Sequence, residues 1–337
     1  MPTIKEIAKR ANVSRGTVDR ALHGRKGIKP DVAEEIKLIA ETMGYTPDKA
    51  GKILASKKKP LIIGCMLPSI KNEFFVEVIE GYRQAERELS DFGVSVIIKE
   101  VMGYETAVHI NAINELLAQN VSGLCISTVD VPEIRKLIDG AGIPVICVNS
   151  DISDAGRLCY IGNDYIKSGK TAAGLLSKIM LGQLDLLTVT GSLSVKGHND
   201  RIKGFTGHLE DIGADFNLYD VLECNDNDRA SYKLTYEYLK KNNFINVVFI
   251  VAGGAGGVCR AVKKLGLSDK IAVISFDDIS STRRYLKEGV IDFTICQEPL
   301  LQGSKSIEAL FNYFMSGKKK KPKSYLTSAV IKIKENL

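Results

Sequence analysis

The chain has 337 residues, 45% hydrophobic and 26% charged, the composition of a folded protein of two or three domains. No apolar run approaches the ~20 residues needed to span a bilayer, and the amino-terminal segment lacks the apolar core of a secretory signal, which predicts a cytoplasmic protein with no membrane partner. The net charge of +6 is unevenly spread: residues 1–60 hold 14 Lys and Arg against 7 Asp and Glu, while the remainder is nearly neutral at −1, the pattern of a small nucleic-acid-binding module joined to a neutral body.

Along those first sixty residues, Thr3 and Glu6 have capping-box spacing, and Ile4, Ile7, Ala8 and Ala11 follow at helical period. Asn12-Val13 interrupts the pattern and Ser14 is placed to cap a second helix. Val18, Ala21 and Leu22 form its inward face, which leaves Arg15, Gly16, Asp19 and Arg20 outward. Pro30 and Asp31 open a third helix with Val32, Ile36, Ile39, Ala40 and Met43 on one face, closed by Gly44. Two short helices braced by a third predict a helix-turn-helix whose second helix enters the major groove of double-stranded DNA. Arg15 and Arg20 suit guanine edges or phosphates, Gly16 permits close approach, and Thr17 and Asp19 complete the DNA-contacting set.

From Leu61 onward, apolar runs alternate with amphipathic segments. Strands are predicted at 61–67, 94–99, 123–127, 145–149, 184–190, 247–251 and 272–276, and helices at 75–89, 105–118, 167–181 and 230–242. That alternation implies two parallel-sheet α/β halves, with a boundary near 160–164. Ligands of such sheets bind beyond the carboxyl ends of the strands. There the sequence places Ser127 and Asp130, Asn149, Arg201, Asp277 and Gln297. Seven cysteines without a Cys-x-x-Cys, three of them inside apolar runs, predict reduced core thiols. Four scattered histidines have no ligand spacing, and no metal or cofactor is expected.

The order Ile-x-x-Ile-Ala-x-x-Ala-x-Val-Ser-x-x-Thr-Val-x-Arg, followed by Gly-Tyr-x-Pro-Asp-x-x-Gly-x-x-Leu, resembles the LacI/GalR family of bacterial transcription regulators along essentially the whole chain. The resemblance implies a helix-turn-helix domain at 1–46, a hinge helix and linker at 47–60, and an effector-binding and dimerisation core at 61–337 with the type I periplasmic-binding-protein fold. Within the core, one subdomain would take about 61–160 plus 293–325 and the other about 162–290. Leu54 matches the hinge leucine that wedges into the minor groove, and Gly51 stands where alanine is usual. Asn72, Phe74 and Phe75 match the family's Asn-x-Phe-Phe ligand loop, and Asn149, Arg201, Asp277 and Gln297 match its polar ligand positions. Asn227 lies where the family often has an aromatic ring, and Ala-Gly-Gly-Ala-Gly-Gly follows strand 247–251 where Asn-Asp is usual.

A sequence-specific regulator is therefore expected, with repression as the expected mode. It would be a homodimer on an operator and no enzyme, controlled by a sugar, sugar acid, sugar phosphate or polyol. Two other readings start from single features. The body alone would serve as a periplasmic-type sugar receptor, which the basic head opposes. The glycines at 253–257 resemble a dinucleotide fingerprint and suggest an oxidoreductase, but the third glycine position is Cys259 and no strand end carries a histidine.

Overall fold

The computed structural model describes residues 4–22, 25, 27–43, 60–68, 70 and 72–337. The chain divides into two compact units, Met1–Lys59 and Pro60–Leu337. Thr3, Gly44, Gly51 and Leu54 lie outside the described residues.

The first unit contains α1 (Ile4–Arg10), α2 (Arg15–Leu22) and α3 (Pro30–Thr42). Ile7 and Ala8, Val18 and Ala21, and Ile36 and Ala40 bury one face of each helix against the others. Val18 and Ala21 are the inward residues that helical spacing selects, because a period of 3.6 brings them to one stripe. Leu22 is only half-buried.

The second unit holds two six-stranded sheets, each flanked by helices. In chain order its first lobe runs β1 (Leu61–Leu67), α4 (Phe74–Leu89), β2 (Val94–Glu100), α5 (Thr106–Ala118), β3 (Gly123–Ile126), α6 (Pro132–Gly140), β4 (Val145–Asn149) and β5 (Cys159–Asn163). The second lobe continues with α7 (Tyr165–Ile179), β6 (Leu184–Thr190), α8 (Lys196–Asp211), β7 (Phe216–Glu223), α9 (Asp228–Lys241), β8 (Val247–Ile250), α10 (Ala255–Lys264), β9 (Ala272–Phe276), α11 (Ser280–Lys287) and β10 (Phe293–Cys296). Helix α12 (Pro299–Met315) returns to pack on α4, after which β11 (Tyr325–Thr327) and β12 (Val330–Lys332) add one edge strand to each sheet. The sheet orders are β11-β5-β4-β3-β1-β2 and β12-β10-β9-β8-β6-β7. All pairs are parallel except β10 with β12. Central strands such as Gly123–Ile126 and Val247–Ile250 are buried throughout, as continuous apolar runs covered on both faces should be. All seven cysteines are buried.

Two boundaries differ from the sequence reading. The segment 159–163, read as a break, is a buried strand that pairs with β4. Residues 293–296, assigned to the first lobe, form β10, which pairs with β9 and completes the second sheet's core. The chain thus crosses between the lobes after Asn163, after Cys296 and between Thr327 and Val330. Every crossing leaves from a strand end that borders the cleft.

Candidate functional site

In the first unit, the Ser14 hydroxyl accepts a hydrogen bond from the Thr17 amide at 3.1 Å, capping α2. The Thr17 hydroxyl pairs with Ser14 Oγ at 2.8 Å, so that side chain is committed to the cap. Arg15 and Gly16 are exposed. The exposed Arg20 donates from Nε to the Gly16 carbonyl at 3.1 Å, which aligns its guanidinium along the helix face. Asp19 accepts from Arg25 at 2.9 Å. The capped helix presents two basic side chains from a surface with little bulk, as direct base readout requires.

In the second unit, residues from both lobes line a cavity of about 40 Å³. The first lobe supplies Asn72, Phe74, Phe75, Tyr104, Asn149 and Ser150. The second supplies Tyr165, His198, Arg201, Asp226, Phe276 and Asp277, and the crossover supplies Gln297. Three of these polar groups are held by left-handed backbone at a strand end or just beyond it: Asn149 with φ 63°, Asp226 with φ 55° and Asp277 with φ 72°. Asn and Asp tolerate that region better than other non-glycine residues, and strain of this kind gathers at binding sites.

Arg201 rises from α8 and is 3% exposed. Its guanidinium lies 3.8 Å from the Phe276 ring centroid and 4.4 Å from that of Tyr165, clamped by both π faces. Nη1 donates to the Val251 carbonyl, while Nε is buried without a hydrogen-bond partner. A buried unpaired donor is unfavourable, a cost the guanidinium carries between its two rings. Asp277 accepts from Gln297 Nε2 at 2.8 Å, and Gln297 Oε1 accepts from the Tyr165 hydroxyl at 2.9 Å. Gln302 donates to the Gln297 carbonyl at 2.8 Å and accepts from Asn149 at 3.3 Å. A chain of amides therefore joins the two lobes behind the cavity.

Across the front, Asp226 of the second lobe accepts from Asn72 Nδ2 at 2.8 Å and from the Tyr104 hydroxyl, both of the first lobe, and from the Gly253 amide at 2.9 Å. A Cβ at position 253 would lie 2.7 Å from the Asp226 Cβ, so glycine there is what lets the carboxylate in. Beside the cavity opens a groove of about 360 Å³, and Asn72, Asp226, Gly253 and Ile279 line both spaces. Glu73 spans the lobes as well, accepting from the Ser280 amide at 3.1 Å and hydroxyl at 2.6 Å.

Burial pushes the Asp277 carboxyl up to about 6, against the opposing pull of the Arg201 charge and the Gln297 amide. Burial takes the His198 imidazole down to about 4, leaving it neutral near pH 7. The cavity thus holds one guanidinium against two carboxylates, surrounded by amides and hydroxyls that can both donate and accept.

Seven expected effector residues meet here: Asn72, Phe74, Phe75, Asn149, Arg201, Asp277 and Gln297. Three do not. Ser127 is 2% exposed and lies outside the cavity wall. Asp130 is committed to Arg135 Nε at 2.8 Å and the Ser153 hydroxyl at 2.8 Å, so it braces the loop after β3. Asn227 caps α9 by accepting from the Arg229 and Ala230 amides at 2.9 and 3.0 Å, and its neighbour Asp226 turns inward instead. The glycines at 256 and 257 serve helix packing: a Cβ on Gly257 would sit 2.0 Å from the Asp228 carbonyl, and Asp228 Oδ1 accepts the Gly257 amide at 3.2 Å. A side-chain carboxylate therefore fills the place at this helix start that a dinucleotide phosphate would need.

Residues 63–319 match the periplasmic binding protein domain model, and residues 3–48 match that of bacterial regulatory proteins, lacI family. The chain is 30% identical over 291 residues to the probable HTH-type transcriptional repressor ExuR of Bacillus subtilis, covering 83% of this chain and 82% of that protein. It is 26% identical over 287 residues to catabolite control protein A of Staphylococcus epidermidis, covering 82% of each. Among solved structures, a glucose-galactose binding protein of Geobacillus stearothermophilus superposes with a TM-score of 0.76 at 23% identity, over 83% of this chain and 99% of that one, a likeness of fold. With a capped helix-turn-helix head ahead of a two-lobed core, the chain belongs to the lacI family of bacterial regulatory proteins.

Proposed function

We propose that this transcriptional regulator represses its target genes as a cytoplasmic homodimer and binds an uncharged, hydroxyl-rich effector, a sugar or polyol, between its two lobes. Two heads per dimer supply the two half-sites that a short recognition helix needs for specificity. The observation that carries the effector class is the charge inventory of the cavity. Asp226 and Asp277 face one guanidinium, and His198 is neutral. An anionic sugar would add like charge to a site with an excess of carboxylate, at low dielectric. Hydroxyls suit it better, since they donate to Asp277 and Asp226 and accept from the Arg201 guanidinium, Asn149 and Asn72.

The Asp226 bonds to Asn72 and Tyr104 stand between the cavity and the adjoining groove. Entry of an effector through that groove requires Asp226 to part from Asn72 and Tyr104. Effector hydroxyls then take over the hydrogen bonds that the latch gives up. Movement of one lobe against the other is the change that would reach the DNA-binding head. A thermal-shift screen of sugars, polyols, sugar acids and sugar phosphates tests the class, because ligand at 100 times its Kd adds about 2.7 kcal/mol of stability. Stabilisation by neutral compounds supports the reading. Stabilisation by sugar acids or phosphates alone would overturn it.

A further inference from the structure

Five of the six residues from Lys318 to Lys323 are lysine, in a core whose other residues carry a net negative charge, 27 Lys and Arg against 33 Asp and Glu. All five are exposed, and among the described residues none of them is in an ion pair. A solvated lysine run on a surface loop has no necessary partner. Its place in the fold is what gives this one a partner.

Helix α12 starts at the cleft and runs back to the end of the first sheet where the parallel strands begin. Its Leu310 lies against Gly123, the first residue of β3, where a Cβ would meet Leu310 Cδ2 at 3.2 Å. Phe311 meets the Phe92 ring at 5.2 Å, and the next residue, Gly93, accepts the Leu61 amide at the start of β1 at 2.9 Å. The helix stops at Met315, and Gly317 and Lys318 turn the chain with φ of 65° and 61°. Lys318 Nζ stays 5.5 Å from the Phe314 ring centroid. The run then ends at Ser324, whose hydroxyl accepts the Tyr160 amide at 3.1 Å, beside the start of β5. Both ends of the run are thus pinned to the strand-start rim. That rim is also where the core chain begins, at Pro60 and Leu61, directly after Lys57-Lys58-Lys59 in the sequence. The run therefore lies at the end of the core where the chain enters it from the first unit.

We infer that Lys318–Lys323 is a second DNA-contacting surface, carried by the effector core, which neutralises backbone phosphates of the duplex held by the head. The proposal rests on the operator-binding reading above. The recognised chemistry is the phosphodiester charge, independent of sequence, for which mobile lysine ammonium groups are suited as point charges. Such contacts add affinity and salt dependence without altering base preference.

The test is fluorescence anisotropy with full-length protein on two duplexes of equal length, the promoter upstream of its own gene and a random sequence, across a KCl series. Lys319→Gln/Lys320→Gln/Lys321→Gln is compared with wild type and with the triple arginine variant. Each lost phosphate contact should flatten the slope of log affinity against log salt by about 0.9. The glutamine variant should therefore be shallower by about 1–3 on both duplexes, while the arginine variant keeps the wild-type slope. An unchanged melting temperature excludes unfolding as the cause. A glutamine variant with the wild-type slope would overturn the inference and leave the operator reading standing. A wild-type protein that binds neither duplex would overturn both.

Discussion

Asn72 donates its side-chain amide to Asp226 across the cleft at 2.8 Å, and that hydrogen bond joins the loop after β1 of the first lobe to the segment just beyond β7 of the second. Asn72 is itself fixed, because its Oδ1 accepts the Phe74 amide at 3.2 Å at the start of α4. A movement that separates the lobes must break this bond and the Tyr104 bond beside it. The cavity and these inter-lobe bonds share one carboxylate, so under the proposed function Asp226 would couple effector occupancy to lobe movement.

Neutralising that carboxylate should change which ligands are admitted. With Asp226→Asn the cavity balances one carboxylate against Arg201, and repulsion of anionic sugars falls by about 1–3 kcal/mol at an effective dielectric near 20. Uronates should bind at least ten-fold more tightly to the variant than to wild type by calorimetry. No gain for uronates would mean that Asp226 does not set ligand charge.

Among the described residues Arg201 is the one buried arginine, and it lines the cavity. A hydrogen bond from a charged donor is worth about 1.5–3 kcal/mol, so Arg201→Gln should raise effector Kd ten-fold or more. Promoter binding in the absence of effector should persist, since the head folds around its own core. Unchanged effector affinity in this variant would remove Arg201 from the site.

Effector affinity should depend on pH through Asp277. Burial holds its carboxyl at about 6, above the ~3.9 of an unfolded aspartate. Arg201 and Gln297 oppose that rise, while Asp226 and Glu77 add to it. Protonation therefore stabilises the empty fold, a contribution complete below about pH 4 and lost as pH rises through about 6. Hydroxyl donors favour the ionised form instead. Affinity should thus be flat above about pH 7 and weaken below about 6, by up to ten-fold per unit. Asp277→Asn should abolish that dependence, and a variant with the wild-type profile would assign it elsewhere.

The cap of α2 can be removed separately from its basic face. Ser14→Ala should destabilise the head by about 1 kcal/mol through the lost Thr17 amide bond. Arg15→Ala or Arg20→Ala should leave melting unchanged yet weaken promoter binding by about 1–3 kcal/mol, with a smaller effect on random DNA. Equal losses on both duplexes would contradict base readout by this helix.

Long apolar runs with polar flanks were legible as strands: residues 61–67, 145–149, 184–190 and 272–276 form strands with those bounds. Those with polar residues or little apolar contrast were not. Cys159–Asn163 carries Gly and Asn, Phe293–Cys296 carries Thr between apolar residues, and Phe216–Glu223 is an edge strand with five of its eight residues exposed, so none stands out as a continuous apolar run. The strand-end rule located Asp277, directly after β9, while Arg201, expected just before a helix, lies six residues into α8 and was singled out by the family resemblance. Asp226 escaped because Asn225-Asp226-Asn227-Asp228 reads as a turn and helix cap, which Asn227 indeed supplies. Its inward course depends on left-handed backbone and on the glycine at 253, distant in sequence. Tyr104 arrives from a loop for the same kind of reason. His198 carried a usable signal, lying three residues before Arg201 on one helix face.

The central claim is that the cavity selects a neutral hydroxyl-rich molecule. Its most direct test is calorimetric titration of the wild-type protein at pH 7.5 with matched sets: a neutral sugar or polyol, its uronate and its phosphate. The account predicts saturable heat from a neutral member and at least ten-fold weaker binding of its charged counterparts. A uronate or phosphate that binds more tightly than its neutral parent would contradict it.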